Sequence, residues 1–366
     1  MIPLARPTLA KLSSLNKKLR DVLETGMITE SKYVKSFERM AARFLGVKHV
    51  IATSSGTNAL LLVLKSLNLK GEVLLPSFTF TSDGHVLLWN RLYPVFVDID
   101  PRTFNMDPDL VEGKIRKKTS AIMPTHVFGN PCDIDKIQKI AKRHSLKVIY
   151  DGAHAFGALY KGKPISQFGD ATIFSLTPTK VLTTAEGGLV ATNNDRLASK
   201  LRLAKHNGDS FKRGEEFLGL SARMSEFHAI LGIENLKIFK KANKRRLKIV
   251  RLYKKLLFQV PGISFQEVYP KNLSVYKDFA IVINKDQFGL SRDGLLRRML
   301  KAGIQTKVYF DSPLHKKRVY RAYKNLNLPN TNFISKNIMD LPLYSHIPIK
   351  DVIFICNFIK KAHKLA

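Results

Sequence analysis

The chain has 366 residues, 45% hydrophobic and 25% charged, with 61 Lys and Arg against 29 Asp and Glu for a net charge of +32. That length and balance exclude a disordered chain and predict one large domain plus a smaller one. Cys132 and Cys356, far apart in sequence, exclude a disulfide framework and a metal-ligand spacing. The amino-terminal residues lack an apolar leader run, and no stretch of about 18 apolar residues occurs, so a soluble, cytoplasmic protein without a transmembrane segment is expected. The charge leaves contact with nucleic acid, other polyanions or an anionic membrane surface open.

Taken in order, the chain opens with an arm bracketed by Pro3 and Pro7, then a helical pattern from Lys35 that stops at Gly46. Val50–Thr53 reads as a strand feeding Ser54-Ser55-Gly56-Thr57-Asn58 and a helix through Leu67. Backbone N–H groups at such a helix start suit a phosphate, although a Ser or Thr cap also explains the residues. Strands follow at Val73–Leu75, Pro94–Val97, Ala121–Pro124 and Lys147–Tyr150, with helices between them at Asp107–Lys117 and Asp133–His144. This alternation predicts an α/β fold with a mostly parallel sheet, whose ligands sit at the carboxyl ends of the strands.

Two such ends carry chemistry. Asp151 follows an apolar strand directly, so it is a carboxylate at the edge of a low-dielectric core that needs a positive partner. Farther on, the strand Ala171–Phe174 runs into Ser175, Thr177, Pro178, Thr179 and Lys180, then Gly187-Gly188 and a second apolar strand. A lysine held among apolar and hydroxyl neighbours loses solvation, which favours the neutral amine that condenses with carbonyls. The charge-dense run Lys237–Lys255 places Phe239, Ala242, Val250 and Tyr253 near helical spacing, which predicts one buried and one solvated face. The expected division is residues 1–244 as a large domain with an amino-terminal arm, and 245–366 as a small α+β domain. Within the latter, strands at Val275–Asn284 and Thr306–Phe310 and helices at Arg292–Ala302 and Ile349–His363 are expected.

The stretch Phe174 to Gly188 resembles the F-S-x-x-P-T-K-x-L-x-x-x-E-G-G pattern of the DegT/DnrJ/StrS-type sugar aminotransferases, pyridoxal-phosphate (PLP) enzymes with the aspartate aminotransferase fold (fold type I). The likeness runs from Ile2 to about Leu343 and includes Gly26–Thr29, Ser54–Asn58, Pro76–Thr81, Asp151–Gly157 and Gly219–Phe227. It implies that Gly56, Thr57, Asn58 and Ser175 hold the cofactor phosphate and that Phe80 stacks on the pyridine ring. Asp151 would hold the ring nitrogen, Ala153 would lie beneath the ring, and His154, where many members carry Gln, would bond the phenolic oxygen. Lys180 would bind the cofactor covalently and shuttle the proton. Ser221 stands where the family has an Asn that reaches the neighbouring subunit's cofactor. Thr29, Tyr309 and His315 are implied near the sugar, and Arg223 and Glu226 either bind ligand or form a local ion pair.

The expected protein is therefore a homodimer with shared active sites that aminates C4 or C3 of a nucleotide-linked ketosugar, with glutamate as donor, for amino-sugar and surface polysaccharide synthesis. No metal is expected. Rival readings are a basic nucleic-acid-associated or regulatory protein that keeps the fold without turnover, and a different reaction of the same PLP fold.

Overall fold

The computed structural model describes residues 1–210 and 214–364. Two helices, α1 (Leu12–Thr25) and α2 (Lys32–Leu45), precede the first strand, and each ends on a left-handed glycine, Gly26 and Gly46. The large sheet is built from β1 (His49–Thr53), β2 (Glu72–Pro76), β3 (Tyr93–Val97), β4 (Thr119–Ile122) and β5 (Lys147–Asp151), and is completed later in the chain. Between these strands lie α3 (Gly56–Ser66), α4 (Thr81–Trp89) and α5 (Ile134–Arg143). A short hairpin, β6 (Leu159–Tyr160) with β7 (Lys163–Pro164), leads to β8 (Ala171–Ser175) and β9 (Gly188–Thr192), then α6 (Asp195–Ala204).

The seven strands are ordered β1-β9-β8-β5-β4-β2-β3. Pairing is parallel from β8 through β5, β4 and β2 to β3, and β9 alone runs antiparallel to both its neighbours. Helices cover both faces, so the central strands are apolar without alternation; β2 buries Val73, Leu74 and Leu75 completely. Apolar cores form on each side of the sheet, one around Phe37, Tyr150 and Phe174, the other around Leu60, Val63 and Ile173.

The 32-residue helix α7 (Glu226–Leu257) leaves this layer and enters a third core. There it meets an antiparallel sheet of β10 (Ile263–Phe265), β11 (Phe279–Ile283) and β12 (Ile338–Leu341). The helices α8 (Lys285–Phe288), α9 (Arg292–Lys301), α10 (Pro329–Asn337) and α11 (Ile349–Lys364) complete this part. Residues of the amino-terminal arm run along it, with Ile2 bridged to Ile304 and the Leu343 N–H donating to the Leu4 carbonyl.

The charge run on α7 is not wholly a solvated face. Arg246 is buried, and its Nη1 donates to the carbonyls of Tyr276, Lys277 and Leu343, each at 3.3 Å; burial brings its pKa down to about 10. Two expected elements differ. Residues 107–117 form two short 3-10 turns, Pro108–Leu110 and Glu112–Lys114, because Asp107 caps a tight turn onto Asp109 and the chain is extended again at Ile115. Residues 306–310 add one isolated bridge, Lys307 to Asp340, and no strand, since the Asp340 side chain takes the Tyr309 N–H. No helix among the described residues is long and apolar enough to cross a membrane.

Candidate active site

A cavity of about 300 Å³ opens where β1, β5 and β8 end, at the carboxyl edge of the parallel strands. One side is the amino end of α3. Ser55 caps that helix by accepting from the Asn58 N–H at 3.1 Å, and Gly56 and Thr57 line the cavity where first-turn N–H groups have no helical acceptor. Ser175, at the end of β8, lines the same wall; a Cβ on Gly56 would come within 3.0 Å of the Ser175 Cβ, so glycine permits this approach. Gly188 is tighter still, since a Cβ there would collide with the Ser55 carbonyl.

Lys180 reaches the cavity from the β8–β9 loop. The Leu176 carbonyl pins that loop by accepting from the Thr183 hydroxyl at 2.9 Å and the Thr184 N–H at 3.0 Å, while Asn235 on α7 donates to the Thr183 carbonyl at 2.8 Å. Burial, and next the nearby Lys277 ammonium, bring the Lys180 amine down to about 7, against an opposing pull from Asp151. The group is therefore about half unprotonated near neutral pH.

Asp151, at the end of β5, is buried and accepts from the Ala153 N–H at 2.8 Å. Beside it stands Asp83 of α4, also buried, whose Oδ2 accepts from the hydroxyls of Thr79 at 2.6 Å and Thr125 at 3.0 Å. Burial, then the Asp151 charge, raise the Asp83 pKa well above the ordinary carboxylate range, while burial raises that of Asp151. Two ionised carboxylates cannot share such a site, so Asp83 keeps the proton and donates it to Asp151; the pair carries one negative charge. His154 lies beside both Phe128 and Phe310, its ring nearly parallel to theirs at 6.2 and 6.1 Å, and those two rings are themselves 6.0 Å apart. Burial holds it neutral, and its buried Nδ1 has no partner among the described residues.

Phe80 and Ala153 line the cavity; Phe80 is half exposed rather than part of the core. Tyr309 lines it too, from the segment between α9 and α10. Four other residues stand elsewhere. Asn58 lies outside the cavity lining and donates its side-chain amide to Ser54 at 2.8 Å. Thr29 is exposed and bonds the Met224 carbonyl at 3.3 Å. Ser221 is exposed beside Arg223. His315 is fully buried between Ser77 at 2.7 Å and Asn332 at 3.1 Å. Glu226 forms no ion pair with Arg223; its carboxylate accepts from the N–H groups of Ser31, Tyr33 and Val34 and so caps the start of α2.

The sequence reading missed Asp83, Lys277 and Lys307. Asp83 reads as an ordinary acid in a helix first turn, and the two lysines are among 61 basic residues.

The residues fit pyridoxal phosphate: an amino end of a helix with Ser175 for phosphate, an unpaired half-neutral lysine, a singly charged carboxyl pair, and an unpartnered imidazole nitrogen. This sheet order and wall define a fold type I PLP enzyme. The DegT/DnrJ/EryC1/StrS aminotransferase family model matches residues 11–360, and the chain belongs to that family. It is 32% identical to the dTDP-4-amino-4,6-dideoxy-D-glucose transaminase of Escherichia coli, covering 94% of each chain. The structure of DesI in the presence of its TDP-sugar product superposes with a TM-score of 0.94 at 30% identity, over 99% of this chain and 93% of that one. NtdA of Bacillus subtilis with its bound cofactor PMP superposes with a TM-score of 0.90 at 28% identity, over 96% and 82%. The chain is thus a PLP-dependent aminotransferase, which sets aside the basic binding protein without turnover.

Proposed function

We propose that the enzyme moves an amino group from glutamate to the C4 or C3 keto group of a deoxysugar carried on a nucleoside diphosphate, in the cytoplasm, supplying an amino sugar for polysaccharide assembly. The observation that carries this reading is Lys180, with its amine near pH 7, facing the same cavity as Asp151. Likeness to enzymes acting on TDP-linked sugars supports the substrate class. When bound, PLP supplies an electron sink and a carrier for the amino group. Asp151, relieved of a second charge by the Asp83 proton, holds the ring nitrogen protonated. Gly56, Thr57 and Ser175 take the phosphate, and neutral His154 bonds the phenolic oxygen. The Lys180 Nζ, with a pKa near the working pH, would hold and move the proton exchanged at the donor carbon when the cofactor is bound. Phe80 covers one ring face, and Tyr309 meets the sugar.

A homodimer with shared sites is part of the proposal. Trp89 and Leu218 are 82% and 73% exposed and line one groove with Leu220. Large apolar side chains grouped in this way on a charged surface mark a covered face. Ser221 follows Leu220 directly, so a second copy seated there is positioned to receive it. The test is the absorbance spectrum of the loaded enzyme before and after glutamate, with Lys180→Ala as control. Loss of the visible cofactor band in the parent but not the variant is expected; an unchanged parent spectrum would refute glutamate as donor.

A further inference from the structure

The cavity has a second wall that the cofactor cradle leaves unused, carried by Lys277, Lys307 and Tyr309. Lys277 and Asp278 form an ion pair at 2.8 Å, with side chains only 4% and 7% exposed. The Lys277 Nζ lies 4.8 Å from the centroid of the Tyr309 ring, and the Lys307 Nζ lies 4.6 Å from the same centroid. Asp340 backs this group and accepts from the Tyr309 N–H at 3.2 Å. Burial, then Asp278, raise its pKa well above the ordinary carboxylate range, so it adds no negative charge. Two ammonium groups therefore face one carboxylate, and one positive charge remains on the wall of a partly enclosed cavity. Such a charge favours an anion.

Position selects the anion. Lys277 and Lys180 line the same cavity of about 300 Å³, and the Lys277 charge lowers the Lys180 pKa, so it faces the reacting nitrogen. The carboxylate of an α-amino acid is one carbon from its amine, whereas the diphosphate of a nucleotide sugar is separated from a C3 or C4 keto group by the sugar ring.

We propose that Lys277 and Lys307 receive the α-carboxylate of the amino-acid donor. This rests on the donor reading above. The carboxylate docks against the two ammonium groups and the Tyr309 ring, and it offsets the repulsion that Lys277 exerts on a protonated Lys180. Lys277 thus serves in the donor half of the cycle and returns to Asp278 alone when an uncharged sugar ring occupies the space.

The test uses calorimetry on the loaded enzyme with two unreactive probes, glutarate and dTDP, in the parent, Lys307→Gln and Lys277→Met. Lys307 is exposed, so its variant is expected to fold even if loss of the buried Lys277 charge does not permit it. Loss of one charge-assisted contact weakens binding about 10- to 100-fold, so glutarate affinity falls by that factor while dTDP affinity holds. Glutarate binding that is absent in the parent, or unchanged in Lys307→Gln, overturns the proposal. Weaker dTDP with unchanged glutarate assigns the wall to the diphosphate and overturns it too. Glutamate is added separately: if the parent's visible band does not respond, the donor reading fails, while the glutarate arm still reports on the wall.

Discussion

Replacing Asp83 by Asn isolates the shared proton beneath the cofactor site. In the folded, cofactor-free protein Asp83 holds a proton, because burial and the neighbouring Asp151 raise its pKa well above its ordinary value. In the unfolded chain the same carboxyl ionises near that value. Folding at neutral pH therefore takes up a proton. For a group whose folded pKa is raised, the stabilisation is fully present below the unfolded pKa and is lost as pH rises toward the folded one. Each proton taken up corresponds to a slope of about 1.4 kcal/mol per pH unit. The Asn amide accepts from Thr79 and Thr125 and donates to Asp151 as the protonated acid does, but it takes up nothing. Urea unfolding of both cofactor-free proteins at about pH 5, 6 and 7 should show the variant gaining on the parent by about 1.4 kcal/mol per unit. Parallel profiles would refute a proton held on Asp83. As a companion, Asp83→Ala takes the carboxyl partner from Thr79, Thr125 and Asp151, leaving only the contact between the two threonine hydroxyls and the Ala153 N–H, and should be about 2–4 kcal/mol less stable than Asp83→Asn at every pH.

Glu226→Ala removes the acceptor of three backbone N–H groups at 2.7–2.9 Å in a fully buried place, and should destabilise by about 3–5 kcal/mol. Hydrogen exchange at residues 31–34 should quicken locally, and unchanged protection there would contradict the capping role. In the cofactor-free protein, 1-fluoro-2,4-dinitrobenzene, which does not itself titrate in this range, should label Lys180 at a rate that rises tenfold per pH unit up to about pH 7 and then levels. Lys277→Met should move that break to higher pH, because the Lys277 charge lowers the Lys180 pKa; a break that stays put would show that burial alone sets it. Gly188→Ala forces a Cβ against the Ser55 carbonyl, displaces the amino end of α3, and should weaken PLP binding measured by fluorescence titration while most of the fold survives. Unchanged PLP affinity would show that this end of α3 does not hold the phosphate.

The strand ends that lead to Asp151 and Lys180 were legible in the sequence, because each is an apolar run, and the alternation of strands and helices before them marks a mostly parallel sheet. Local signals sufficed there: a carboxylate after Val148-Ile149-Tyr150, and a lysine after hydroxyl residues and Pro178. The wall of Lys277 and Lys307 was not legible, since it forms only when β11 and β12 bring residues near 277, 307 and 340 together, and neither lysine differs in type from dozens on the surface. Asp83 escaped for a related reason: its neighbour Asp151 is 68 positions away. The expected helix at 107–117 failed because Asp107 bonds its own turn, a local competition that periodicity does not register. His315 drew notice as a ligand, yet Ser77 and Asn332 use both of its ring nitrogens.

The helix α7 belongs to two cores at once, packing Ile233, Leu236 and Phe239 in the first and Ile249, Val250 and Tyr253 in the third. A helix turns about 100° and advances about 1.5 Å per residue. One residue inserted between Phe239 and Arg246 would swing the Tyr309 wall by that angle around the Lys180 loop, whereas recoding the exposed lysines in the same interval would leave it in place. Evolution of this chain is accordingly free in the spelling of that interval and bound in its length, so an alignment of true descendants should show α7 with many substitutions and no gaps.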